Sequence, residues 1–199
     1  MSLKVVVWGT GNVGRPAIRA VLSHADLKLV GVVVASAAKV GRDAGEIAGV
    51  GPVGVLATDD AASLIALKPD AVVYTATADI RPAEAMADLM ACLEAGINVV
   101  STAFYSFLHP GSAPADTLAP LQAACDSSGA SLFVSGIDPG WVMDWLPVVA
   151  SGAVSGIREI RVREVFNYAL YDQPQVVREV IGFGTPMDEL PMMLHDFAI

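Results

Sequence analysis

The chain has 199 residues, 54% hydrophobic and 17% charged, with a formal net charge of -9. That acidity repels a phosphate backbone and no basic stripe offsets it, which argues against nucleic-acid binding. No apolar run approaches the ~20 residues needed to span a bilayer, and the apolar opening at 3–8 is too short for a signal peptide.

Residues 3–8 are β-rich without polar alternation, which predicts a central parallel strand covered on both faces. Over 13–24, Val13, Ala17, Ala20 and Val21 fall at helical spacing, with Pro16 tolerated in the first turn. A second strand is predicted at 27–34, a short helix at 42–49 and a short strand at 53–56. Asp59 or Asp60 caps a helix running to Leu67, and 71–74 is the next strand. A helix over 82–95 has Pro82 early and Gly96 as its stop. Strand 98–101, helix 114–128 and strand 131–134 complete the series. Repeated βα units of this length predict an α/β fold, a Rossmann-type doubly wound parallel sheet over residues 1–136.

The texture changes after Gly136. A helix is predicted at 141–151. Residues 157–167 then alternate Ile160, Val162 and Phe166 with Arg161 and Arg163, the pattern of a half-exposed strand in a mixed sheet. Helices at 174–181 and 189–197 follow. One strand and two helices do not bury a sheet face alone, so 137–199 reads as a partial second α/β domain, truncated, for substrate binding and dimerisation. The apolar face of 157–167 needs a partner, which predicts a homodimer through this segment or a separate polypeptide that completes the sheet.

The stretch Val7-Trp8-Gly9-Thr10-Gly11-Asn12-Val13-Gly14 carries G-x-G-x-x-G between a predicted strand and a predicted helix. Gly9 permits a tight turn, Gly11 admits a pyrophosphate against bare backbone, and Gly14 lets the helix pack closely on the strand. The helix N-terminus then faces the anion. An ordinary tight βα turn is the alternative. An NAD-type site carries an acid at the end of the second strand. Here that strand runs into Ala35-Ser36-Ala37-Ala38-Lys39, with no acid. Ser36, Lys39 and Arg42 suit a 2′-phosphate, so NADP(H) is the expected cofactor and NAD(H) the alternative. Lys39 and Arg42 as two solvated loop cations are the competing explanation.

Ligands bind outside the carboxyl ends of parallel strands. Thr75, Ala76 and Thr77 lie in one such loop and would let a nicotinamide ribose approach backbone, or are simple turn residues. Phe104, Tyr105 and Phe107 in the next loop suit an apolar substrate pocket. Tyr105 and His109 beside it, and Asp138 in the Asp138-Pro139-Gly140 turn, are the candidate proton donors. No metal is expected: His24, His109 and His195 show no ligand spacing. Cys92 and Cys125 lie in amphipathic stretches and read as small buried hydrophobes, which suits a reducing cytoplasm.

Three segments together resemble a known family: 7–15 around the glycine loop, Lys39-Val40-Gly41-Arg42-Asp43-Ala44-Gly45, and Gly136-Ile137-Asp138-Pro139-Gly140. It is the dihydrodipicolinate-reductase-like family that contains 2,4-diaminopentanoate dehydrogenase and native NAD(P)-dependent amine dehydrogenases. The resemblance covers nearly the whole chain and implies hydride transfer at a C–N or C–O centre. It also implies a second domain that forms the substrate site and dimer contact. The amine-dehydrogenase members carry a Glu in the loop after the fifth strand. The matching stretch here, 101–110, has no acid. The paired-His and Lys motif of the true reductases is also missing. The expected function is therefore an NADP(H)-dependent oxidoreductase acting on a small carbonyl, imine, amine or alcohol. The rival is a catalytically silent dinucleotide-binding or regulatory protein; a homoserine-dehydrogenase-like enzyme is weaker, for want of a Lys at a suitable strand end.

Overall fold

The apolar run Leu3–Trp8 forms β1 at the centre of a sheet, and the computed structural model describes residues 2–193. Along the chain follow α1 (Gly14–Ser23), β2 (Leu27–Val33), α2 (Ala44–Ala48), β3 (Ala57–Thr58), α3 (Ala61–Ala66) and β4 (Ala71–Tyr74). Then come α4 (Pro82–Glu94), β5 (Asn98–Ser101), α5 (Ala115–Ser128), β6 (Leu132–Val134) and α6 (Leu146–Ser151). The six strands are parallel, in the order β3-β2-β1-β4-β5-β6, which is the doubly wound Rossmann arrangement.

Alternate residues of each strand point to opposite faces, and helices cover both. Val6, Trp8, Val72 and Tyr74 share one core with Ala85, Leu89 and Leu93 of α4 and Leu121 and Ala124 of α5. Val5, Val7 and Val32 form the other with Ile18 and Val21 of α1 and Ala44 and Ile47 of α2. Each fully buried aliphatic side chain such as Leu89 or Ile18 stabilises the fold by roughly 1.5–3 kcal/mol. Trp8 aligns with Val33 and Tyr74, Tyr74 with Ser101, and Ser101 with Val134. The strands therefore end level, and the loops after them share one crest.

Most predicted elements form within one or two residues of their expected ends. Helix α1 is offset: Gly14, Ile18 and Val21 are buried, whereas Val13 and Ala20 are exposed. The strand expected at 53–56 lies instead at Ala57–Thr58, opposite Val32 and Val33. Val53 is unavailable for pairing there because its amide, with that of Gly54, donates to the Asp43 carboxylate.

Residues 2–155 belong to one compact unit and 156–193 to a second. Segment 137–155 thus lies with the sheet, where the 137–145 turn touches the Tyr105–Leu108 3-10 turn. The helix expected at 141–151 forms: after non-helical backbone at Asp138, Pro139 and Gly140, a wide-pitched stretch through Trp145 runs on into α6.

In the second unit, the strand expected at 157–167 does not form. A strand requires a ladder, and among the described residues none pairs with this segment. Val165 is 91% exposed, and Ile160, Val162 and Phe166 are also exposed. A helical turn at Val176–Val180 buries Val176 and Val180. Phe166, Tyr168, Tyr171 and Phe183 form a cluster with ring centroids 5.2–6.2 Å apart. Of the helix expected at 189–197, residues 194–197 lie outside the described residues.

Candidate dinucleotide site

Three glycines shape the β1–α1 loop for three different reasons. Gly9 has φ +105°, a conformation L side chains rarely adopt, and its amide donates to the Val33 carbonyl at 2.9 Å. A Cβ on Gly14 would run into the Gly9 carbonyl oxygen and lie 2.9 Å from Thr75 Oγ1. A Cβ on Gly11 would meet nothing within 4 Å, and its φ is not positive. Neither protein packing nor backbone conformation demands glycine at position 11. Gly11 lies three residues before the first residue of α1, whose N-cap Val13 supplies no capping side chain. This is the fit expected of a pyrophosphate cradle: bare backbone, room above it and the positive end of a helix. Asn12 and the half-exposed Val13 border it.

Thr75 lies beneath the cradle. Its amide donates to the Trp8 carbonyl at 2.7 Å, and its hydroxyl lies 3.0 Å from that oxygen and 3.3 Å from the Gly9 carbonyl. Its hydroxyl thus clasps the glycine loop. Ala76 follows half-buried, and Thr77 Oγ1 donates to Asp79 Oδ2 at 3.1 Å, closing the next turn.

Thr10 is 6% exposed, and both its carbonyl oxygen and Oγ1 accept from Lys39 Nζ at 3.1 Å. Lys39 closes a 3-10 turn, Ala37–Lys39, that begins just after the exposed Ser36. The structure brings Lys39 to the glycine loop, with Ser36 and the exposed Arg42 on the same β2–α2 connection. Asp43 caps α2 and collects four backbone amides: Gly45 at 2.7 Å, Glu46 at 3.4 Å, Val53 at 3.0 Å and Gly54 at 2.7 Å. Desolvation pushes its pKa up, but these four donors outweigh it and hold the carboxyl below its ordinary value. Sequence reasoning passed Asp43 by, although Asp43-Ala44-Gly45-Glu46 has the spacing of a capping box.

A second polar cluster was not legible in the sequence. Tyr74, fully buried, donates to Asp88 Oδ2 at 2.8 Å, and Arg81 reaches the same oxygen through Nη1 and Nη2 at 3.1 Å. Desolvation, then the bond to Asp88 and its charge, raise the Tyr74 pKa. Burial and the same carboxylate push Cys92 up to about 12, a poorly reactive thiol.

The candidate proton donors sit in the neighbouring loops. Phe104 has φ +63° and starts the turn Tyr105–Leu108, in which Tyr105 is exposed. Phe107 is 5% exposed and packs 5.5 Å from Phe104, so it anchors the loop, and it also lines a groove between α5 and β6. His109 is exposed, with Nδ1 2.7 Å from Ser112 Oγ. Asp138 is exposed in the turn that touches 105–108. In that turn the Gly140 amide donates to Asp144 Oδ2 at 2.8 Å. A groove of about 520 Å³ lies off the crest, between α5 and β6, lined by Phe107, Leu121, Cys125 and Leu132 among others.

Residues 3–105 match the family described as dihydrodipicolinate reductase, N-terminus. The chain is 50% identical over 193 residues to an amine dehydrogenase of Streptomyces virginiae, covering 96% of this chain and 54% of that one. It is 42% identical over 66 residues to the 4-hydroxy-tetrahydrodipicolinate reductase of Synechococcus elongatus, covering 33% of this chain and 24% of the reductase. Among solved structures, an amine dehydrogenase from Mycobacterium smegmatis superposes with a TM-score of 0.65 at 29% identity, over 79% of this chain and 46% of the other. A dihydrodipicolinate reductase from Paenisporosarcina shares the fold, with a TM-score of 0.51 at 18% identity over 68% of this chain and 47% of that one. The chain spans about half the length of the amine dehydrogenases it matches.

Proposed function

Since the chain belongs to the dihydrodipicolinate-reductase-like family that includes amine dehydrogenases, we propose that it is an NADP(H)-dependent oxidoreductase acting on a small carbonyl, imine, amine or alcohol. One observation carries this reading: the open space over Gly11 beside a Lys39 ammonium held on Thr10. Backbone amides at the start of α1 hold the pyrophosphate there, and Gly11 keeps the approach clear. Lys39, Arg42 and Ser36 take the 2′-phosphate, which an ammonium, a guanidinium and a hydroxyl suit and a carboxylate would repel. Thr75 fixes the floor by clasping the loop, and Ala76 and Thr77 leave room for the nicotinamide ribose. When bound, the dinucleotide supplies or accepts the hydride.

Tyr105, His109 and Asp138 supply or take the proton at the substrate heteroatom, and Phe104 contributes apolar surface for the substrate. The 50% identity to a protein named as an amine dehydrogenase favours a C–N centre. The absence of any carboxylate in 101–110 favours the second reading, a dinucleotide-binding protein without amine turnover. The protein self-associates as a homodimer through the second unit, and two cysteines that form no disulfide suit a reducing cytoplasm. The test is NADPH oxidation and NADP+ reduction, followed by absorbance across a panel of ketones, aldehydes and amines. Substrate-dependent turnover supports the enzyme. NADPH binding with no turnover across the panel favours the silent protein.

A further inference from the structure

We infer that Asp43 is a positioning residue for cofactor selectivity: its carboxylate folds the segment that presents Lys39 and Arg42 to the adenosine end of the dinucleotide. The inference rests on the NADP(H) reading above. Lys39 and Arg42 lie on the long connection between β2 and β3, whose one bridge before Ala57 among the described residues is the isolated antiparallel pair Asp43 and Leu56. A connection of that length does not hold two cations in place by itself. Asp43 supplies what is missing. Its Oδ1 accepts from Gly45, Glu46 and Val53 and its Oδ2 from Gly54, so one side chain joins the start of α2 to the turn ten residues on.

The rest of the segment is laced around that point. The Ala44 amide donates to Val55 at 2.8 Å, the Ala57 amide to the Arg42 carbonyl at 2.9 Å, and the Gly41 amide to Ala57 at 2.8 Å. Arg42 is therefore gripped on both sides, and its own amide donates to the Lys39 carbonyl at 3.2 Å. A Cβ on Gly45 would strike the Gly51 carbonyl oxygen, so the 51–54 turn rests directly on α2. Arg19 Nη1 donates to the Ala48 carbonyl at 2.8 Å, which ties α2 to α1, the helix that carries the glycine loop. The backbone that carries both cations is thus tied at Asp43, while the Lys39 ammonium is itself held on Thr10.

Two variants separate positioning from bulk stability. Asp43→Ser keeps a side chain competent to cap α2 but too short to span to Val53 and Gly54. Asp43→Asn keeps one oxygen and loses only the acceptor for Gly54. Dissociation constants for NADPH and NADH would be measured by calorimetry on the full chain, for both variants, the wild type and Lys39→Ala/Arg42→Ala. Exchange of the Val53 and Gly54 amides would be followed alongside.

The expected result is a folded Asp43→Ser with faster exchange at both amides, weaker NADPH binding and unchanged NADH binding. Its NADPH/NADH preference falls by about tenfold, the scale of one charge-assisted phosphate contact, and Asp43→Asn falls part of the way. Retained preference despite faster exchange overturns the inference alone, as does equal weakening for both cofactors. A wild type without NADPH preference, or a preference that survives Lys39→Ala/Arg42→Ala, overturns the NADP(H) reading and the inference with it. Should Asp43→Ser not fold, the same outcomes apply to Asp43→Asn.

Discussion

The Lys39 ammonium donates to both the carbonyl oxygen and the hydroxyl of Thr10, each at 3.1 Å. Two of its three protons are thereby committed to the glycine loop. A cation so tethered keeps a position that a freely rotating surface lysine does not, and it stands beside the residue that precedes Gly11.

Removing Lys39 together with Arg42 should weaken NADPH far more than NADH. A charge-assisted contact is worth on the order of 1.5–3 kcal/mol, so selectivity should fall at least about tenfold in calorimetric titration of the Lys39→Ala/Arg42→Ala variant. Equal losses for both cofactors would leave these cations as loop-shaping residues only.

Gly11 and Gly14 should respond oppositely to a side chain. Gly11→Val places its Cβ in open space, so urea unfolding should be unchanged while NADPH binding is abolished. Gly14→Ala drives a methyl into the Gly9 carbonyl and should lower the unfolding midpoint. Undiminished NADPH affinity in folded Gly11→Val would mean that no phosphate passes there.

The Tyr74–Asp88–Arg81 cluster should be a stability device with an alkaline signature. Tyr74→Phe removes a hydroxyl bonded to both partners and should cost about 1 kcal/mol in urea unfolding. Asp88→Ala strands Tyr74 and Arg81 and should cost about 2–3 kcal/mol. Because the Tyr74 pKa is raised in the fold, above pH ~10 the unfolded tyrosine ionises while the folded one stays neutral. Stability should therefore fall as pH rises beyond that point, and Tyr74→Phe should flatten the fall.

Asp43 gives the opposite sign. Its carboxyl sits below the ordinary value of 3.8, so its contribution is fully present above that pH and is lost as pH falls from there through the lower value it has in the fold. Urea midpoints between neutral and acid pH should drop less steeply in Asp43→Ser than in the wild type. Parallel curves would show that the four amide contacts carry no net linkage.

Segment 157–167, which joins no sheet among the described residues, should mediate self-association. Antiparallel pairing of two copies centred on Arg161 sets Ile160 against Val162, Glu159 against Arg163 and Arg158 against Glu164, a self-complementary register. At Arg161 itself two like charges meet, each already paired with its own Glu159 at 2.8 Å. Light scattering should show a dimer at micromolar concentration, and Val162→Lys should shift it to monomer. A monomeric wild type would sink this arrangement.

The Rossmann sheet was legible in the residues because each strand and helix carries its own local signal. The unbroken apolar run of β1 needs cover on both faces, Asp60 caps α3, and Gly96 and Gly129 stop α4 and α5 with positive φ. The β3 position was not legible. Its place depends on where the Asp43 carboxylate draws the 51–54 turn, a contact across ten residues that no local periodicity encodes. The alternation of 157–167 was read correctly as a pattern and still forms no strand. Periodicity states which face is apolar, whereas a ladder depends on a neighbour supplied from elsewhere.

The same division runs through the site. The sequence by itself determined the glycine loop, its placement between a strand and a helix and the lack of an acid after β2, because these are properties of neighbouring residues. Only the tertiary structure decided that Lys39 reaches Thr10, that Thr75 clasps Gly9, that Phe107 is core, and that Tyr74, Arg81 and Asp88 meet. The first two depend on parallel strands ending level, which brings Lys39 within 3.1 Å of Thr10 and Thr75 within 3.3 Å of Gly9; the others depend on a helix or turn folding back onto the sheet. The free energy of such contacts comes from burial and from satisfying polar groups removed from water, and both exist only once the layers have packed.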